Sequence, residues 1–179
     1  MPTISRPSAD EYDPYYANYI AGVPDGDLLT LLERQGGETA ALLRALPESR
    51  GTHRYSAEKW SVKDVVAHVA DAERVFGYRA LRFARGDRTP LSGFEQDDWV
   101  RAAGADARSL ADLVRELEAV RGATVALFRG MDDAAIARRG TANGVEITTR
   151  ALAWIVAGHE RHHVRILRER YLGERASGG

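Results

Sequence analysis

Apolar residues recur along this chain at three- and four-residue intervals in four long stretches, the spacing of one helix face. The first runs from Asp25 to Leu46, with Leu28, Leu31, Leu32, Leu42, Leu43 and Leu46 at helical intervals. Gly36-Gly37 weakens its middle and Pro47 ends it. The second runs from Ser61 to Phe83 and carries Val62, Val65, Val66, Val69, Phe76 and Ala80. Its start, Ser61-Val62-Lys63-Asp64, reads as a capping box with Asp in place of the usual Glu or Gln. The pattern fades near Gly86, and Asp87 to Asp98, with Pro90 and Gly93, reads as a loop. The third stretch, Asp106 to Gly130, carries Leu110, Leu113, Leu117, Val120, Val125, Leu127 and Phe128. Asp132-Asp133 predicts a short extra turn, and Asn143-Gly144 predicts a tight hairpin. The fourth stretch, Thr148 to Leu172, has Thr148 or Thr149 as its cap and Gly173 as its stop.

Residues Met1 to Pro24 hold four of the six prolines and four of the seven tyrosines. They read as an irregular arm that packs Tyr12, Tyr15, Tyr16 and Tyr19 against the body. Glu174 to Gly179 reads as a frayed tail. Four long helical patterns, little strand signal and one long connection between the second and third predict an all-α four-helix bundle. One domain over residues 1–179 is the expectation for this length.

Composition narrows the chemistry. The chain is 44% hydrophobic and 28% charged, with a net charge of −1, so nothing global draws it to nucleic acid or to an anionic membrane. No apolar run approaches the ~18 residues of a membrane span, and the N-terminus lacks the apolar core of a secretory signal. Cytoplasmic residence is the expectation. There is no cysteine, which excludes disulfides, thiolate metal sites and a cysteine nucleophile. A metal would take N and O ligands, and any thiol chemistry would need an exogenous thiol.

The candidate chemistry lies in the histidines. His159 and His163 are one turn apart and share a stripe with Leu152, Ile155, Val156, Ile166 and Leu167. Inward imidazoles are costly unless satisfied, by a metal, by buried carboxylates or by water. His162 lies to the side, next to Arg161 and Arg165, and reads as solvated, although a pair with His159 is a weaker alternative. His68 sits at the edge of its helix's stripe, where a boundary histidine facing a neighbouring helix is the simpler reading. Glu73 falls near the stripe centre. It is a weak catalytic candidate that could act as a ligand, as a partner for an imidazole N–H or as half of a buried ion pair. Glu160 reads as a surface residue with a lesser chance of supporting an imidazole, and His53 reads as exposed. Residues 159–163 formally match the His-Glu-x-x-His zincin pattern with Glu160 as general base, but the sheet that should lie beside such a helix is missing from the pattern.

Three blocks then carry a family resemblance. They are Glu11-Tyr12 through Asp27, Lys59-Trp60-Ser61 through Glu73 with His68 inside it, and Ala151 through His163. In this order they resemble the DinB-like (YfiT-like) superfamily of metal-dependent enzymes, over nearly the whole chain. The resemblance implies an up-down-down-up four-helix bundle, often a homodimer. It implies a divalent metal, commonly zinc or nickel, on three histidines, which by position are His68, His159 and His163. It further implies a small-molecule substrate and transfer of a low-molecular-weight thiol of the bacillithiol or mycothiol type to an electrophile. A metal-dependent hydrolase and a non-catalytic stress-response protein are the alternatives within the same family.

Overall fold

In the computed structural model, residues 4–173 are described, and each long helix starts at a side chain that caps it. The Asp27 carboxylate accepts the amide N–H of Thr30 at 2.8 Å, and the helix that follows spans Leu28–Arg44. At Ser61 the capping box closes both ways, by Asp64 N–H to Ser61 Oγ at 3.0 Å and Ser61 N–H to Asp64 Oδ2 at 2.9 Å. Ser109 caps Leu110–Arg129 and Thr148 caps Thr149–Ile166.

In chain order the helices are α1 Ala17–Ala21, α2 Leu28–Arg44, α3 Val62–Ala84, α4 Gln96–Ala103, α5 Leu110–Arg129, α6 Asp133–Ala137 and α7 Thr149–Ile166. Strands β1 Arg139–Ala142 and β2 Val145–Thr148 pair antiparallel between α6 and α7, in the register Arg139↔Thr148. Asn143 and Gly144 supply the left-handed turn, at φ 52° and 78°.

The bundle is a ring in which α5 packs on α2 and α3, and α7 packs on α3 and α2. The bonds between helices fix their directions. Arg44 pairs with Glu118 at 2.5 Å and Arg129 with Glu33 at 2.7 Å, so α2 and α5 are antiparallel. Ser61 Oγ–H donates to Asp106 at 2.6 Å, and Glu48 holds both Lys63 at 2.6 Å and the Leu110 N–H at 3.0 Å, so α3 and α5 start at the same end and run parallel. The order is up-down-down-up, and the parallel step from α3 to α5 requires the long connection that holds α4.

The departures from expectation are local. The expected loop from Asp87 to Asp98 contains the start of α4, which buries only Val100 and so leaves no apolar stripe to read. The third long helix begins at Leu110, because Ala105–Ala107 forms a separate 3-10 turn after the left-handed Gly104. The last helix relaxes into a π turn at Leu167–Tyr171. The arm is more ordered than expected, with two 3-10 turns and α1. Tyr12 and Tyr16 pack on the core, but Tyr15 is 68% exposed. Trp154 Nε1–H donates to the Ile4 carbonyl at 3.1 Å, and Arg150 pairs with Glu11 at 2.7 Å. Gly158 is required where α1 crosses α7, since a Cβ there would meet the Tyr19 carbonyl oxygen at 2.1 Å. The tail Glu174 to Gly179 lies outside the described residues.

Two apolar clusters fill the ring. One joins the first half of α2, the second half of α3, the end of α5 and the first half of α7. The other joins the remaining halves, with Leu167 and Tyr171. Between them lies a buried polar belt to which every long helix contributes: Gln35 and Thr39, His68 and Glu73, Arg121 and Thr124, His159 and Glu160.

Candidate metal centre

The belt has two sides, and the histidines make one of them. Because α3 and α7 pack together, His68 faces the turn of α7 that carries His159 and His163. The Nε2 of His159 lies 3.2 Å from the Nε2 of His68 and 3.1 Å from that of His163. One side chain atom from each of the three lies within 4.8 Å of the others. His68 is 91 residues from His159 in sequence.

Burial sets the protonation of this trio. It lowers His68 to about 4, with exposed Asp97 working weakly the other way. It lowers His163 to about 3, helped by His68 and His162. It lowers His159 well below the ordinary value, helped by His163, His68 and His162. All three are neutral at pH 7, the form in which imidazole offers a lone pair. Aromatic rings hold them in place. Trp60 lies 4.7 Å from the His68 ring and stacks on His163 at 6.3 Å, while Tyr19 and Phe76 meet His159 edge-on at 5.6 and 5.7 Å.

The donor set fits a divalent transition ion. A single Nε2 on His159 cannot satisfy both neighbouring Nε2 atoms with one proton or one lone pair. Nitrogen ligands at about 2.0–2.1 Å in a tetrahedral shell sit roughly 3.3 Å apart, close to both measured separations. A cavity of about 450 Å³ reaches this point, with His68 and His159 in its wall and Tyr16, Phe76 and Phe94 among its aromatic lining.

The other side of the belt overturns the expectation for Glu160. It is 1% exposed, not at the surface, and its Oε2 accepts from Arg121 at 2.7 Å and from Gln35. Turned to those partners, it makes no contact with an imidazole that would serve a zincin-type base. Glu73 is half of a buried ion pair, its two oxygens accepting from Arg121 at 2.9 and 2.8 Å. Burial opposes the Arg121 charge, but Glu73 and Glu160 outweigh it and raise the guanidinium's pKa. His162 is half-buried, edge-on to Tyr19 at 5.2 Å and outside the trio. His53 is half-buried against Tyr171 at 6.2 Å, not exposed as expected.

Sequence reasoning missed Arg121, Gln35 and Arg79. Arg121 continues the α5 stripe at Leu117 plus four, and Arg79 continues the α3 stripe at Phe76 plus three. A charged residue standing in an apolar stripe was the available signal.

With fold and site in view, family comparison is decisive: residues 31–167 match the DinB superfamily, and the chain belongs to it. Among solved structures, it is similar to YfiT from Bacillus subtilis, described as a probable metal-dependent hydrolase with an unusual four-helix bundle topology. The TM-score is 0.74 at 19% identity, over 91% of this chain and 94% of that one. It is also similar to a mycothiol-dependent maleylpyruvate isomerase, with TM-score 0.64 at 17% identity over 81% of this chain. It spans only 61% of that protein's length. No curated protein sequence matches significantly. Among the described residues no helix is long and apolar enough to cross a membrane.

Proposed function

We propose that this protein is a metal-dependent enzyme in which His68, His159 and His163 hold one divalent transition ion, zinc or nickel, and that it transfers a low-molecular-weight thiol to a small electrophile. The observation that carries the reading is the convergence of three neutral imidazoles, two of which, His68 and His159, line a cavity. When bound, such an ion supplies Lewis-acid activation of a thiol or of water. The protein's own part is to keep the imidazoles neutral by burial, to fix their planes with Trp60, Tyr19 and Phe76, and to admit the substrate through the cavity. The absence of cysteine agrees with a thiol that arrives from outside.

Hydrolysis is the second reading. The near-complete overlap with YfiT, whose description is of a hydrolase, favours it.

Untagged protein should carry about one divalent ion per chain. Conjugation of an electrophile such as monochlorobimane to bacillithiol, mycothiol or glutathione should exceed the uncatalysed rate and vanish in His159→Ala. Ester hydrolysis without thiol dependence would move the conclusion to the hydrolase. Fully metallated protein with neither activity would leave a non-catalytic binding protein.

A further inference from the structure

The α3 face that carries His68 continues along the same cavity through Ala72 and Phe76 to Arg79. These positions are i, i+4, i+8 and i+11, one stripe of an α-helix. Arg79 is only 4% exposed, yet it has no carboxylate partner among the described residues. Its N–H donates to the Ser92 carbonyl at 3.0 Å, and it works against the burial that raises the Tyr16 hydroxyl. Both partners are neutral. Asp13 and Glu95 also line the cavity, but Asp13 spends an oxygen on the Tyr15 amide at 2.8 Å, and neither pairs with Arg79. The other arginine buried in the bundle, Arg121, is matched by two carboxylates. A guanidinium is charged at any working pH, and burying one without a counter-charge is costly. A lone guanidinium on a cavity wall, with donors to spare, is a seat for an anion.

We propose that Arg79 is the binding residue for a carboxylate on the substrate, and that the cavity takes an elongated organic carboxylate. The carboxylate sits at Arg79, the body lies along Ala72, Tyr16 and Phe76, and the far end reaches His68 and His159. Eleven residues of helix span about 16 Å, and the long Arg side chain leans back toward the helix start. The two ends of the ligand are therefore separated by a distance on the order of 10 Å. That the far end is the reacting end rests on the metal-site reading; the carboxylate seat stands on Arg79 and the cavity.

The test uses octanoate and octanamide, which match in length and apolar body and differ in charge. Dissociation constants are measured by calorimetry on the purified protein and again after chelation, so that a carboxylate–metal bond is not mistaken for the Arg79 seat. Octanoate should bind the chelated protein about tenfold or more tighter than octanamide. Arg79→Gln should bring the two within about twofold, and Arg79→Lys should keep part of the preference. Equal affinities in the parent, or a preference that survives Arg79→Gln, would overturn the assignment. If Arg79→Gln does not fold, the parent's acid-to-amide ratio decides alone. Metal content, measured on the same preparation, judges the metal site separately: a carboxylate preference without bound metal would sink the proposed function and leave this site standing.

Discussion

His159 and Glu160 are adjacent on α7 and belong to opposite sides of one polar belt. On the Glu160 side, charges answer charges: Arg121 ties Glu73 of α3 to Glu160 of α7, and also donates to the Leu32 carbonyl of α2 at 2.9 Å. Four helices meet at one guanidinium, and among the described residues only Gln35 Oε1 and Glu160 Oε1 are buried there without a hydrogen-bond partner. On the His159 side, three neutral rings bring lone pairs to a point that none of them can satisfy. The first arrangement answers each charge with a protein charge and ties the helices together, although Arg121 and Glu160 also line a cavity of about 380 Å³. The second is open toward a cavity and asks for something from outside. Burial alone does not separate structure from function here; what separates them is whether the buried groups complete one another.

The largest effect should come from breaking the paired side. Arg121→Met leaves two buried carboxylates without their cation and should cost about 3–5 kcal/mol in stability by urea unfolding. Metal bound per folded chain should stay the same. Loss of the metal in folded Arg121→Met would join the two sides into a single unit and end the comparison.

The open side should respond to metal instead. An ion present at about 100 times its Kd should stabilise the parent by about 2.7 kcal/mol. That gain should disappear in His159→Ala and persist in His162→Ala and His53→Ala, whose rings lie outside the trio. An equal gain in all of these variants would show that the ion binds elsewhere.

The most specific effect is on pH. An unfolded histidine titrates near 6.5, whereas folded His68 and His163 are lowered to about 4 and about 3. Between those values the unfolded chain binds more protons. The trio's contribution is therefore intact above about 6.5 and is lost as pH falls from there toward 4. Metal-free parent should lose stability over that range more steeply than the double variant His68→Gln with His163→Gln. Parallel slopes would mean that the trio is not neutral and buried in solution.

The same division marks what could be read from sequence. The four long helices, the caps at Ser61 and Thr148 and the hairpin were legible because they depend on neighbours within a few residues, whereas the caps at Asp27 and Ser109 were not read. The inward pair His159/His163 was legible for the same reason. His68 was not, because its stripe-edge position gains meaning only where α7 crosses α3; the family resemblance supplied it. Glu160 was misread because its partners lie on α5 and α2, 39 and 125 residues away. α4 was missed because it buries one residue and leaves no period to detect.

The 91 residues between His68 and His159 also set an order of events during synthesis. At about 5–20 residues per second, His68 leaves the ribosome roughly 5–18 s before His159. The trio cannot close until α7, the last long helix, has been made and has docked on α3. Ile4, whose carbonyl accepts from Trp154, waits longer still, because its partner lies 150 residues further along the chain. An ion held by all three histidines would therefore bind only after α7 has docked on α3, as a late step of folding.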